Sequence, residues 1–147
     1  MKRREFLRDA VRGFFIALAA FFAAVLWYIY PSRMQEKKVR YFFLMDEADL
    51  PRKGVRKVDF SYDLGERRIS SRVYLAASGK GITIFSPVCT HLGCMVNWDS
   101  NRREFLCPCH GGRYAMDGTV LGGPPPRPLT ELPWKVEQEK VYVGIAV

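Results

Sequence analysis

Every cysteine and every histidine of this chain lies in one of two short boxes, Cys89-Thr90-His91-Leu92-Gly93-Cys94 and Cys107-Pro108-Cys109-His110-Gly111. Only residues 95–106 separate them. Thiolate and imidazole are the main protein ligands for borderline transition metals, so spending both on two loops points to a metal site. The ligand pattern is Cys-x-His, fifteen residues, Cys-x-x-His, with one further cysteine in each box. A structural zinc site can use two cysteines and two histidines. Zinc ligands, however, typically open with a cysteine pair about two to four residues apart. Here Cys89 would pair with His91 across one residue, and Cys94 and Cys109 would be stranded.

The boxes resemble those of Rieske iron–sulfur proteins, whose [2Fe–2S] centre has cysteines on one iron and histidines on the other. Carried onto this chain, the resemblance implies that Cys89 and Cys107 ligate one iron and that His91 and His110 ligate the other. It also implies a disulfide between Cys94 and Cys109 that ties the two loops together. Each thiolate brings a negative charge and a neutral imidazole brings none, so such a centre is the easier to reduce. Potentials run from about −150 to +300 mV, against about −400 mV for four cysteines. A histidine-held iron also couples electron uptake to proton uptake, which quinol oxidation requires. Within the family, ferredoxins and ring-hydroxylating oxygenases usually lack the extra cysteine pair, whereas members of cytochrome bc complexes carry it.

One position departs from the family pattern. High-potential members follow the second box with a serine whose hydroxyl bonds a bridging sulfide, and here that residue is Gly112. Tyr114 matches the tyrosine that in the family bonds a ligand cysteine sulfur. Hydrogen bonds to sulfur stabilise the reduced centre and raise its potential. Losing one donor predicts a potential in the lower part of the range, suited to a menaquinol-like donor, unless a backbone N–H or a water replaces it. On this view Gly112→Ser raises the potential. Gly123, Pro124, Pro125 and Pro126 resemble the loop that covers the cluster's third side. Leu92, beside His91, is either an exposed residue at the cluster tip or a satellite-core leucine. Trp98 and Trp134 read as core.

The elements that must position these boxes differ along the chain. Residues 1–12 carry Lys2, Arg3, Arg4, Arg8 and Arg12 against Glu5 and Asp9. Residues 13–30 carry no charge; as a helix they span about 27 Å, near a bilayer's hydrocarbon thickness. Trp27, Tyr28 and Tyr30 suit the membrane interface, and Pro31 is expected to stop the helix. Ala17-Leu18-Ala19 resembles a signal-peptide cleavage site, but the apolar run continues too far past it for most such peptides. The expectation is one uncleaved anchor. Arg3-Arg4-Glu5-Phe6-Leu7 resembles a twin-arginine export signal. Residues 31–40 read as a flexible tether, which in the family lets the domain swing between electron donor and acceptor.

Residues 41–147 are expected to form the Rieske domain. Short runs rich in Val, Ile, Tyr and Phe, bounded by turn residues, predict strands over 40–45, 55–62, 73–77, 81–85, 103–106, 134–137 and 141–147. Ser78-Gly79-Lys80 and Gln138-Glu139-Lys140 read as hairpin connections, and residues 46–50 allow one helical turn. The fold class is mainly β: a transmembrane helix, then an antiparallel β-sandwich with a loop-built cluster subdomain at about 86–129.

The formal charge of +8 divides into +3 before the anchor and +5 after it. It is spread along the domain without the aromatic–basic interleaving of a nucleic-acid surface, so no nucleic-acid partner is expected. No nucleophile–base arrangement, phosphate loop or carboxylate pair is present, so catalysis rests with the cluster and its histidines. A cluster is assembled in the reducing cytoplasm, whereas a disulfide needs an oxidising compartment. Export of a folded domain reconciles the two, with the cluster domain on the periplasmic face of a bacterial inner membrane. The resemblance thus implies the iron–sulfur subunit of a quinol–cytochrome c oxidoreductase. Its partners would be quinol, a cytochrome b subunit and a c-type cytochrome, with His110 and His91 at the quinol. The alternative is the small subunit of an exported molybdenum oxidase such as an arsenite oxidase.

Overall fold

Residues 3–33, 38–79 and 81–147 are described by the structure, a computed structural model of the chain. They fall into two units divided after Lys38. The first holds one helix, α1 (Arg3–Arg33). It begins within the basic leader, where Glu5 in the first turn complements the helix dipole. Its stretch Arg3–Tyr30 is long and apolar enough to cross a membrane, with a mean hydropathy of 2.1 in its most apolar window. Contrary to expectation, Pro31 does not stop the helix, which runs on to Arg33. A proline at this point forfeits the bond to the carbonyl four residues back, and α1 continues past that missing bond. Of the residues read as a tether, 31–33 therefore extend α1, 34–37 lie outside the described residues, and 39–40 open the first strand.

The second unit holds ten strands: β1 (Val39–Asp46), β2 (Gly54–Leu64), β3 (Arg67–Ser78), β4 (Gly81–Phe85), β5 (Asn97–Asp99), β6 (Glu104–Leu106), β7 (Arg113–Ala115), β8 (Val120–Gly122), β9 (Trp134–Glu137) and β10 (Lys140–Ala146). They pair antiparallel in three sheets, β1-β10-β9, β2-β3-β4 and β5-β6-β7-β8. A 3₁₀ turn at Glu47–Asp49 supplies the single helical turn expected there. Gln138 and Glu139 link β9 to β10 with φ of 50° and 59°, the two left-handed residues a tight hairpin needs. Lys80, in the expected β3–β4 connection, lies outside the described residues.

Strand alternation explains how one unit holds two cores. In β3, Val73 and Leu75 point into one hydrophobic cluster, with Leu44, Met45, Ile84, Val141 and Val143. Tyr74 and Ala76, on the opposite face, join Phe85, Val96, Phe105, Leu129, Cys89 and Cys107. A strand buried on both faces loses the polar–apolar alternation and reads as a continuous apolar run, as 73–77 does. The second core matters most for function. Cys89 and Cys107 belong to it, so these two thiols inherit the rigidity of packed aromatics (Tyr74–Phe105 centroids 5.2 Å, Phe85–Phe105 6.1 Å, Trp98–Phe105 4.8 Å).

The subdomain expected to be loop-built contains the four-stranded sheet β5–β8. Sequence alone showed only β6 of these; all four are three residues long, too short to display a period of two.

Candidate metal centre

Each box is the loop of a β-hairpin. The Val88↔Met95 bridge closes residues 89–94, and the Leu106↔Arg113 pair of β6 and β7 closes residues 107–112. The two loops share a backbone. Cys89 N–H donates to Cys94 C=O (2.7 Å) and Gly93 N–H to Cys89 C=O (3.1 Å). Cys107 N–H donates to Gly112 C=O (2.7 Å) and Gly111 N–H to Cys107 C=O (3.1 Å). Closing the loop this way needs a left-handed fifth residue. Gly93 (φ 80°) and Gly111 (φ 70°) supply it without the strain a side chain would bring.

Cys94 and Cys109 form a disulfide, with Cα atoms 6.5 Å apart, joining the loops covalently. Cys89 and Cys107 remain free and buried. His91 is half-buried and His110 exposed, and their ring centroids lie 4.9 Å apart. The sulfurs of Cys94, Cys107 and Cys109 also cluster closely. Two of those are spent in the disulfide and offer no thiolate, so that trio is not a metal set. The donors that fit a [2Fe–2S] group with sulfur on one side and nitrogen on the other are the two buried thiols and the two adjacent imidazoles.

The Cys89 sulfur is prepared for a negative charge. Burial opposes its thiolate, but hydrogen bonds from Tyr114, the backbone of His91 and Leu92, and Cys107 outweigh that and hold its pKa below the ordinary thiol value. Tyr114 Oη lies 3.2 Å from Cys89 Sγ. Burial and that sulfur raise the Tyr114 pKa, so the phenol keeps its proton and acts as donor. Tyr114 is fully buried on β7, where its backbone partner is Phe105 of β6.

Thr90 was not singled out from sequence, yet it links three pieces. Its N–H donates to Tyr114 Oη (3.1 Å), and its hydroxyl donates to Arg127 C=O (2.7 Å). The hydroxyl's only proton is committed to that carbonyl. Toward Tyr114 Oη, 3.2 Å away, Thr90 Oγ1 therefore acts as an acceptor, competing with Cys89 sulfur for one phenolic proton. The signal in sequence was only a threonine between two ligand candidates. Its partner lies 37 residues further on.

The proline-rich loop lies over both boxes, fastened to the first through Thr90 and Arg127 and to the second by contact. A Cβ on Gly123 would come within 2.8 Å of Gly111 O and Gly112 Cα, so the backbones touch. Pro125 is buried, whereas Pro124 and Pro126 are exposed. A Cβ on Gly112 would lie 2.7 Å from Pro125 Cγ and 3.4 Å from Cys107 Cβ. The simple expectation that Gly112→Ser adds a donor therefore needs correction, because the proline ring occupies the space the serine would enter.

Leu92 is 70% exposed, at the tip and not in a satellite core. Trp98 and Trp134 pack against the two cores, as expected. A depression of about 440 Å³ opens beside the second box, where Cys107, Gly112 and Arg113 form part of its wall.

A family model described as the Rieske [2Fe-2S] domain matches residues 40–133. The chain is 33% identical over 147 residues to the cytochrome b6-f complex iron-sulfur subunit of Chlorobaculum tepidum, spanning 99% of this chain and 76% of that one. It is 41% identical over 96 residues to the menaquinol:cytochrome c reductase iron-sulfur subunit of Bacillus subtilis, 63% of this chain and 56% of the relative. Among solved structures, the soluble domain of the Rieske protein II from Sulfolobus acidocaldarius superposes with a TM-score of 0.51 at 19% identity, a likeness of fold covering 71% of this chain and 76% of that one.

Proposed function

The chain belongs to the Rieske [2Fe–2S] family and takes that cluster as its cofactor; from this premise we propose that it is the electron-transfer subunit of a bacterial quinol–cytochrome c oxidoreductase. The observation that carries the proposal is the pairing of two buried free thiols with two neighbouring imidazoles at an exposed, disulfide-tied tip. Cys89 and Cys107 would hold the cluster through sulfur, and His91 and His110 through ring nitrogen. When bound, the cluster supplies a one-electron acceptor of raised potential.

The chain's own residues do the rest. Exposed His110, with His91 beside it, binds the quinol hydroxyl and takes its proton on the ring nitrogen left free of iron. Leu92 offers an apolar contact next to them. Tyr114 steadies the charge on Cys89 sulfur from inside the fold. Gly112 brings no hydroxyl, which favours a low potential and hence a menaquinol-like donor, as the name of the Bacillus subtilis relative also does.

The electron then passes to a c-type cytochrome, while a cytochrome b subunit takes the other. Helix α1 anchors the domain, with the N-terminus cytoplasmic and the boxes on the periplasmic side after twin-arginine export. The link between the end of α1 and the start of β1 acts as the tether.

The test is to isolate the full chain with its membrane complex, add menaquinol analogue and follow the EPR signal of the reduced cluster. Rapid reduction with b-type haem present in the same complex is expected. Reduction only by dithionite, with a molybdenum cofactor co-purifying, would replace the proposal by the oxidase alternative.

A further inference from the structure

Two loops that carry a metal centre can be closed by a donor reaching the centre or by matter that fills the space beside it. This chain's second box has a hydrogen atom where a side chain would start, and across from it the one buried proline of the 124–126 run. A Cβ built on Gly112 meets Pro125 Cγ at 2.7 Å, Pro125 Cδ at 3.2 Å and Cys107 Cβ at 3.4 Å. A separation near 2.7 Å is well inside carbon–carbon contact, and a pyrrolidine ring cannot swing away as a long side chain can. The neighbouring contact at Gly123, with its φ of 89° and its close approach to Gly111 and Gly112, removes the slack that would let the loop lift as a unit.

We infer that Gly112 and Pro125 form a complementary steric pair that positions the covering loop on the second box. The proline ring takes the volume beside Cys107 that a side chain on residue 112 would occupy. Pro125 is thus a positioning residue, which acts through its packing and not by touching substrate. The inference rests on the proposal that Cys107 is a cluster ligand. One consequence is a mutual exclusion: a β-carbon at 112 requires a smaller residue at 125. A second concerns the potential. Among the described residues no hydroxyl reaches Cys107 sulfur, and at position 112 a donor can be introduced only after the ring has gone.

The pair is tested by a double-mutant cycle on the full-length, cluster-loaded protein in detergent, using Gly112→Ser, Gly112→Ala, Pro125→Ala and the two double variants. Cluster loss in the presence of an iron chelator is followed by visible absorption, and the midpoint potential by protein-film voltammetry.

Overpacking of a closed site is expected to make both Gly112 single variants lose the cluster about tenfold faster than the parent, equivalent to about 1.4 kcal/mol. Pro125→Ala alone should lose it more slowly than either. In the Pro125→Ala background, adding Ser or Ala at 112 should cost nothing further, and only Ser should raise the potential. The alanine variants separate bulk from hydrogen bonding.

Equal retention in the parent and both Gly112 single variants would overturn the pair, as would effects that simply multiply in the double variants. Those outcomes leave the ligand assignment standing. A Cys107→Ala protein that still binds iron and shows the parent's EPR spectrum would instead remove the assignment itself.

Discussion

Residues 89–94 and 107–112 close with the same pair of backbone hydrogen bonds and the same left-handed glycine at the fifth position, yet their surroundings differ. In this shared frame both cysteine candidates stand first. The third and fourth positions are His91 and Leu92 in one loop and Cys109 and His110 in the other, and the sixth are Cys94 and Gly112. The first loop is held by polar contacts, with Tyr114 on Cys89 sulfur and Thr90 on the carbonyl of Arg127. The second is held by packing, with Gly112 against Pro125 and Gly123 against Gly111. The backbone sets where the sulfur points, and the covering residues set how each sulfur is solvated. Two copies of one loop can therefore make unequal contributions to potential and to cluster retention.

The largest effect is expected where the loops are alike. Cys89→Ala and Cys107→Ala should each abolish cluster binding, because neither loop has a second thiolate to offer while Cys94 and Cys109 are bonded. Iron analysis and EPR of the dithionite-reduced protein report this, and a variant retaining the parent spectrum would break the equivalence of the two loops. Next comes the link between them. Replacing both Cys94 and Cys109 by alanine should lower stability by about 2–5 kcal/mol, the usual cost of losing a native disulfide. A thermal melt measures it. A loss below about 1 kcal/mol would mean that the hydrogen bonds and the proline loop already hold the pair together.

The boxes were legible in the sequence because their chemistry demands particular residue types at particular spacings. The long strands and α1 were legible too, since 73–77 and 13–30 are apolar over runs long enough to show a pattern. What escaped depends on distance through space. β5, β7 and β8 are three residues each and exist because the hairpin loops bring them together. Thr90 gains its role from a carbonyl across the fold, which no local pattern announces. Gly112 was conspicuous as a missing hydroxyl; that a side chain there would meet Pro125 shows only in the fold. Pro31 failed as a stop signal: α1 runs on to Arg33 despite the backbone bond that a proline forfeits.

The next predictions separate the loops by their hydrogen bonds. Tyr114→Phe removes a donor to Cys89 sulfur and nothing at Cys107, where among the described residues no hydroxyl reaches the sulfur. The potential should fall by about 60 mV, the one-electron equivalent of about a tenfold change in equilibrium and within reach of one hydrogen bond to charge. Thr90→Val should act in the opposite sense and by less. It frees the Tyr114 proton for the sulfur while cutting the tie to Arg127, so a small rise in potential should come with faster cluster loss. A fall in potential would show that the threonine helps the tyrosine instead of competing with it. Voltammetry on the two single variants and the double variant distinguishes the cases.

The smallest effect belongs outside both loops and tests whether the others are local. On the ribbon of β2 and β3, Arg72 Nε donates to Asp59 Oδ1 at 2.6 Å, and that hydrogen bond, aided by the charges of Arg72 and Lys57 and opposed by desolvation, holds the Asp59 carboxyl below its ordinary 3.8. A carboxyl whose folded pKa is lowered contributes stability above its unfolded value and loses it as the pH falls through the folded one. Asp59→Asn should therefore flatten only the acid limb of a stability–pH profile, slightly, because exposed pairs are well screened. Potential and cluster retention should stay at parent values. If either moved as far as in Tyr114→Phe, the differences between the two loops would have to be assigned to the whole domain and not to the residues that cover each sulfur.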